Sequence, residues 1–388
     1  MVHPIKQILL SRILILDGAM GTMIQRYNLT EEQFKGERFE RTSKLQKGNN
    51  DLLTITKPSI IEQIHREYLE AGTDIIETNT FNSNSISMQD YGMQNVVTEM
   101  NIKAAQIARA VADEYTIKTP PKPRFVAGSI GPTNTPTSMG PRVEDPMYRE
   151  VNFDDLRVTN EEQIEALIEG GGDLLLIETV FDTLNAKAAL FAAQSIFNKI
   201  GREVPIMLSV TLSDKAGRTL SGQTVEGFLT SISHINLLSV GLNCSFGASD
   251  MKPHLKQLKR IAPFYVSAYP NAGLPNQLGE YDETPQRMAE QIKEYIDEGL
   301  VNIIGGCCGT TPQHIAENAL LVNEVTPPPL NERSPYLHLS GLEDFVFSPE
   351  KNFVNIGERF NVSGSRKFLR LIKEQNYEEA LTIARHQV

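Results

Sequence analysis

Cysteine is scarce in this chain: three in 388 residues, too few to staple a fold of this length with disulfides. Runs of like charge are missing too, and 48 acidic against 37 basic residues give a formal net charge of −11. That balance argues against a nucleic-acid or anionic-membrane surface and leaves small molecules or proteins as partners. No long hydrophobic run occurs. The apolar stretch from Ile5 to Leu16 is interrupted by Lys6 and Arg12 and passes straight into Asp17-Gly18, as neither a cleavable signal nor a membrane span would. A cytoplasmic protein is expected, in which unpaired thiols are either buried apolar filler or chemistry. A Gly-x-Gly-x-x-Gly turn is also absent, since Asp17-Gly18-Ala19-Met20-Gly21 lacks that spacing, and this counts against a dinucleotide-binding open sheet. The seven histidines form no His-x-x-x-His pair.

What is present is an alternation. Short β-branched apolar runs at Ile13–Leu16, Asp74–Thr80, Arg124–Ile130, Asp173–Thr179, Pro205–Leu212, Ser239–Cys244, Phe264–Tyr269 and Asn302–Gly306 end in Gly, Asn, Asp, Glu or Cys. Most are apolar at consecutive positions, the pattern of parallel strands buried on both faces. Between them lie amphipathic stretches such as Pro58–Ala71, Asn95–Tyr115, Thr183–Ile200, Pro253–Ile261 and Pro285–Glu298. Thr284-Pro285 and Thr311-Pro312 read as helix N-caps with proline in the first turn. Eight β/α units predict an α/β protein, a (β/α)8 TIM barrel within residues 1–325. The polar, Pro/Gly-rich interval Pro132–Asn152 is expected as an extended loop over the barrel's C-terminal face.

Thr326-Pro327-Pro328-Pro329 stops the last barrel helix, and residues 326–352 carry no clear periodicity, as a linker would. Residues 353–388 start again, with a strand at Phe353–Ile356, a polar turn at Gly357–Ser365 and a helix at Phe368–Arg385. So short a segment falls far below the roughly 250 residues of a second barrel. The expectation is a linker followed by the truncated first β/α unit of a second barrel.

Cys244 ends the sixth predicted strand, and Cys307-Cys308 follow the eighth, at the barrel end where catalytic groups gather. A disulfide between neighbours is strained, because their Cα atoms lie closer than such bridges favour. Two roles stay open: small buried apolar side chains, or two edges of a metal site that Cys244 completes. Three thiolates around Zn2+ leave one tetrahedral position vacant, the mark of a catalytic rather than a structural site. Asp17 and Glu178, at the ends of the first and fourth strands, suit the reading of an ammonium group. Capping or loop hydrogen bonding is their bland alternative. Gly18 would let a carboxylate approach the backbone. Glu77, Asn79, Ser129 and Asn243 also end or follow strands and would form a supporting layer, with plain structural hydrogen bonding as the other reading.

Asp17-Gly18-Ala19-Met20-Gly21-Thr22, Glu77-Thr78-Asn79-Thr80-Phe81, Glu178-Thr179, Gly241-Leu242-Asn243-Cys244 and Gly305-Gly306-Cys307-Cys308-Gly309 together resemble the homocysteine S-methyltransferase family, over about residues 10–325. Within it, Gly357-Glu358-Arg359-Phe360-Asn361-Val362-Ser363-Gly364 resembles the opening of the pterin-binding domain of cobalamin-dependent methionine synthases, as do Asp182–Lys187 and Gly48–Asp51 for that subgroup. Phe360 stands where the motif has Thr, and Arg157–Ile164 is more polar than the helix expected there.

The resemblance implies a homocysteine-binding barrel with Zn2+ on Cys244, Cys307 and Cys308, substrate contacts from Asp17, Gly18 and Glu178, and an incomplete pterin site at Arg359 and Asn361. It implies methionine formation with methylcobalamin as donor, the cobalamin and folate domains acting in cis or in trans. Two alternatives remain: a stand-alone homocysteine methyltransferase using S-methylmethionine or a similar donor, and a non-catalytic zinc- or homocysteine-binding remnant.

Overall fold

A computed structural model describes residues 3–135, 137–142, 144–145, 148–354 and 360–386. Its chain forms two compact units, residues 1–333 with 339–345 and residues 334–338 with 346–388.

The first unit is a (β/α)8 barrel. Its strands are β1 (Leu14–Ile15), β2 (Ile75–Glu77), β3 (Phe125–Ile130), β4 (Leu174–Val180), β5 (Ile206–Val210), β6 (Ser239–Gly247), β7 (Tyr265–Asn271) and β8 (Ile303–Ile304). The matching helices are α1 (Pro58–Glu70), α2 (Val97–Lys118), α3 (Phe153–Glu169), α4 (Thr183–Ile200), α5 (Val225–Ile232), α6 (Ala248–Ile261), α7 (Pro285–Asp297) and α8 (Pro312–Leu321). Each strand pairs in parallel with its successor from β2 to β8, and β8 pairs with β1. A single bridge between Leu16 and Ile75 closes the ring.

Burial explains why the apolar runs became strands: β3, β5 and β7 are buried at every position, with one face in the barrel interior and the other against helices. Below β1, Arg12 makes a two-pronged ion pair with Asp74 at 2.8 and 2.9 Å, and Asp74 also accepts the Ile15 N–H at 2.9 Å. A fully buried carboxylate requires such partners, so this cluster pins β1 against β2 where their own pairing is thinnest.

Thr284 caps α7, its hydroxyl accepting the Arg287 N–H at 3.3 Å, and Pro312 opens α8 after Thr311. Helix α6 begins at Ala248, ahead of the predicted Pro253. The proline is tolerated inside it because Ala248 and Met251 bury in the core, which offsets the one lost backbone bond. The loop following β3 is tied to the barrel's C-terminal end by Asp182, which accepts the N–H groups of Thr137 at 3.0 Å and Ser138 at 2.7 Å.

After α8 the chain runs back along the barrel. Lys259 Nζ donates to Pro329 O at 2.9 Å, Asn302 Nδ2 to Pro328 O at 2.8 Å, and Gln223 Nε2 to Gly341 O at 2.7 Å. Part of the stretch read as a linker is thus laid on the barrel, and Leu337–Ser340 and Asp344–Phe347 pair as a two-stranded sheet.

In the second unit, the helix expected over Phe368–Arg385 is two helices, α9 (Arg366–Lys373) and α10 (Tyr377–Arg385). The break lies at Gln375, with φ +56°, followed by Asn376 as N-cap of α10. It folds Ala380 back onto Phe368 and Leu371, giving this short segment a small core of its own. The expected strand at Phe353–Ile356 falls partly, and Arg359 wholly, outside the described residues. Asn361 is exposed and its Oδ1 accepts the Gly364 N–H, a local turn. Among the described residues no helix is long and apolar enough to cross a membrane.

Candidate active site

At the C-terminal end of the barrel a cleft of about 720 Å³ is lined by Glu77, Ser129, Glu178, Cys244, Cys307 and Cys308, among others. Two interruptions of regular strand geometry build it. The register of β4 on β5 shifts between Ile177 and Val180, and that of β6 on β7 between Asn243 and Gly247. Within these kinks Thr179, Cys244 and Ser245 take φ values of +57°, +60° and +59°. None is glycine, and such backbone costs roughly 1–3 kcal/mol per residue, so the surrounding fold holds it in place. The kink in β6 is what turns Cys244 toward β8.

The three sulfurs converge. Their Sγ atoms all lie within 4.8 Å of one another, and the Cys244 and Cys308 sulfurs are 3.9 Å apart. Sulfurs bound tetrahedrally at about 2.3 Å from one ion would stand roughly 3.8 Å apart, so the donor set fits a thiolate-bound metal. Hydrogen bonds from Cys307 and Cys308 hold the Cys244 thiol down to about 3. Cys307 is pushed up, and Cys308 up to about 11, chiefly by sharing with Cys244. A divalent cation among the three sulfurs would favour the ionised form of each. Among the described residues this is the sole group of three or more metal-ligating side chains so gathered.

Backbone bonds fix the pair on the β8 side. Cys307 N–H donates to Pro270 O at 2.9 Å, Ala272 N–H to Cys308 O at 2.9 Å, and Thr310 N–H to Cys307 O at 3.0 Å. Asn243 holds the kinked strands together: its Oδ1 accepts the Thr179 N–H at 3.0 Å, its Nδ2 donates to Thr179 Oγ1 at 2.8 Å, and Cys307 Sγ lies 3.9 Å from that same Nδ2.

Across the barrel mouth Asp17, Glu77 and Glu178 gather. Asp17 Oδ2 accepts the Glu77 N–H at 3.0 Å, while its Oδ1 is buried without a hydrogen-bond partner. Ser129 Oγ donates to Glu178 Oε1 at 2.5 Å. Burial, reinforced by mutual repulsion, raises Asp17 and Glu77 well above the carboxylate range, and burial lifts Glu178 to about 7. Asp17 and Glu178 are buried, and all three carboxyls resist ionising, an arrangement suited to a cationic group.

The other predicted positions divide. Asn79 lines the cleft and donates to Asn50 O at 2.9 Å and Thr54 Oγ1 at 3.2 Å, the structural hydrogen bonding that was its other reading. Gly18 is needed for packing, since a Cβ there would come within 2.7 Å of Thr310 Oγ1 and 2.9 Å of the Tyr68 hydroxyl. The neighbouring amides are taken, Asp17 N–H by Ile75 O at 3.1 Å and Ala19 N–H by Thr310 Oγ1 at 3.1 Å. His314 belongs to α8, with Nε2 2.9 Å from Glu283 O.

Sequence reasoning passed over Tyr269, Asn271 and Tyr281. The first two close β7, and Tyr-Pro-Asn directly after an apolar run was the available signal. The Tyr269 hydroxyl and Asn271 Oδ1 are buried without hydrogen-bond partners. Tyr281 sits in a loop that gave no signal, yet it lines the cleft and packs over Gly309 beside the cysteine pair.

The sequence model of the family described as Homocysteine S-methyltransferase matches residues 14–322. Among solved structures, the homocysteine methyltransferase MmuM from Escherichia coli is similar in its metallated form, with 21% identity and a TM-score of 0.60 over 80% of this chain and 96% of that one. Its oxidized form gives 20% identity and a TM-score of 0.61, over 79% and 94% of the two chains. Its apo form gives 20% and 0.57, over 80% and 96%. At these identities the likeness is one of fold.

Proposed function

The chain belongs to the homocysteine S-methyltransferase family, and on that premise we propose that it methylates the thiol of homocysteine to give methionine, with Zn2+ held by Cys244, Cys307 and Cys308. We place it as the homocysteine-activating part of a cobalamin-dependent methionine synthase, with methylcobalamin as donor. The observation that carries the reading is one cleft lined by three sulfurs within 4.8 Å of one another and by the carboxyls of Glu77 and Glu178, with the buried Asp17 bonded to the Glu77 N–H beside them.

When bound, Zn2+ lowers the pKa of a thiol that fills its fourth position, so the substrate is held as a thiolate at neutral pH. The rest falls to the chain's own groups. Glu178 and the unpartnered Asp17 Oδ1 accept hydrogen bonds from the substrate's ammonium, whose charge returns these carboxyls to the ionised form. Ser129 keeps Glu178 oriented, and the Asn243 side chain keeps β4, β6 and the Cys307 sulfur in register. Held at its ammonium and at its sulfur, the amino acid has few orientations left, which is where positioning lowers a bimolecular barrier. The product is a neutral thioether and a poorer ligand for zinc than a thiolate, which favours its release.

The donor rests on the resemblance of residues 357–364 to a pterin-binding domain. A second reading is favoured by the cleft's volume of about 720 Å³, which leaves room beside homocysteine for a small onium donor such as S-methylmethionine. Incubating zinc-loaded protein and homocysteine with either methylcobalamin or S-methylmethionine separates the two. Methionine from methylcobalamin supports the first reading, methionine from the sulfonium alone supports the second, and none from either overturns both.

A further inference from the structure

Asp51 is a buried carboxyl that lines the cleft and shares no hydrogen bond with Asp17, Glu77 or Glu178. It lies on the helical turn Asn50–Leu52, which is anchored on two sides. Leu52 belongs to a buried cluster with Met88, Met93, Val97 and Met100, and Asn50 O accepts Asn79 Nδ2 at 2.9 Å. The turn sets the carboxyl against the chain past the end of β2, where its Oδ2 accepts the Asn82 N–H at 2.7 Å and the Ser83 hydroxyl at 3.2 Å. Its Oδ1 has no hydrogen-bond partner among the described residues. Burial raises the carboxyl to about 7, against those two bonds. An oriented carboxyl with one oxygen unused is costly to bury unless another group completes it.

We propose that Asp51 is a binding residue for the methyl donor, its free oxygen accepting a hydrogen bond from an N–H group that the donor carries. The proposal rests on the reading of this cleft as the place where methyl passes to homocysteine. In that reading the substrate's ammonium is held by Asp17 and Glu178, and its sulfur lies at the three cysteines. A donor must bring its methyl up to that sulfur, so the rest of its body lies in what is left of the 720 Å³ cleft, where Asn50, Asp51, Thr80 and Asn82 form part of the wall. Both candidate donors carry N–H groups: the α-ammonium of a sulfonium amino acid, and the carboxamides around the edge of a corrin. A carboxylate accepts from either, and more strongly from the charged one. An Asp51 with a structural role alone would tie down Asn82 and Ser83 and leave the donor's affinity untouched.

The test compares zinc-loaded wild-type, Asp51→Asn and Asp51→Ala proteins. Steady-state kinetics with S-methylmethionine or methylcobalamin at saturating homocysteine give the donor's KM, and calorimetry gives the binding of each donor in the absence of homocysteine. Asparagine keeps an acceptor at this position but no charge, so the two sources of N–H separate. With S-methylmethionine, Asp51→Asn should raise the donor's KM by about ten- to a hundredfold, the worth of a charged hydrogen bond. With methylcobalamin, Asp51→Ala should raise it by about two- to tenfold while Asp51→Asn stays close to wild type. In either case homocysteine affinity and zinc content keep their wild-type values. A donor KM and affinity that neither variant moves, or an equal loss of homocysteine affinity, overturns the proposal and leaves Asp51 a structural residue. The binding arm decides without turnover: a chain that forms no methionine yet loses donor affinity on substitution sinks the proposed reaction and keeps the donor site. A wild-type chain that binds neither donor overturns the site itself. Should both variants fail to fold, Asp51→Glu, which keeps the charge and moves it by one methylene, should show the same loss of donor affinity, and an unchanged affinity overturns the proposal.

Discussion

Cys244 and Cys308 lie 64 positions apart in the chain, and their sulfurs stand 3.9 Å apart at the barrel mouth. Two strand ends produce that proximity, and the kink that gives Cys244 its φ of +60° aims it. The proposed metal would be shared by thiols whose spacing these strand ends set. Cys308→Ala should therefore lower zinc content to well under one ion per chain while leaving the barrel folded. Metal analysis after dialysis, with circular dichroism as the folding control, checks this. A full complement of zinc in the variant would refute the three-sulfur site.

Burial raises the Glu178 carboxyl to about 7. An ammonium binds its ionised form, so below pH 7 homocysteine must displace a proton from Glu178, and above it need not. Affinity should rise between about pH 6 and 8 with proton release in buffers of different ionisation enthalpy. Glu178→Gln should weaken binding by about ten- to a hundredfold, the worth of a charged hydrogen bond, without loss of zinc. Calorimetric titration measures both. An unchanged affinity in the variant would remove Glu178 from the substrate pocket.

Asp51 also offers a test of stability. Burial raises its carboxyl from the ordinary value to about 7, against hydrogen bonds from Asn82 N–H at 2.7 Å and Ser83 Oγ at 3.2 Å. The folded state thus holds this proton more tightly than the unfolded one. Its contribution to stability is complete below the unfolded carboxyl's range and is lost as pH rises to about 7. Asp51→Asn keeps an acceptor for the Asn82 N–H and abolishes the titration. The fall in melting temperature from pH 5 to 8 should be smaller in the variant, and an identical fall would contradict the assignment.

Gly309→Ala should be among the more damaging single-methyl changes. It combines a φ of +79° with a contact 2.3 Å from Tyr281 Cβ. Left-handed backbone costs a non-glycine residue roughly 1–2 kcal/mol before the clash is counted. Chemical denaturation should show a loss of at least that size, and a competing chelator should strip zinc more readily. A variant as stable as wild type would mean that Tyr281 moves away at no cost.

Much of this was legible in the sequence because burial on both faces leaves a strong mark. All eight apolar runs are barrel strands, and the cysteines and acids at their ends fall on one rim. What escaped depends on shape. The kinks at Thr179 and Cys244 arise in residues with no preference for left-handed backbone, so only the fold could reveal them. Tyr281 reaches the cleft from a loop whose conformation depends on Asn276 and on Gly309, which it packs over. The break at Gln375 escaped because the pattern continues on both sides, and only Asn376 marked a new start.

The central claim is that the substrate's sulfur completes a site built by Cys244, Cys307 and Cys308. X-ray absorption at the zinc edge, recorded on zinc-loaded protein with and without homocysteine, tests it most directly. Three sulfur neighbours should become four when homocysteine is added, all near the roughly 2.3 Å of zinc thiolates. A sulfur count that homocysteine leaves unchanged would contradict the account.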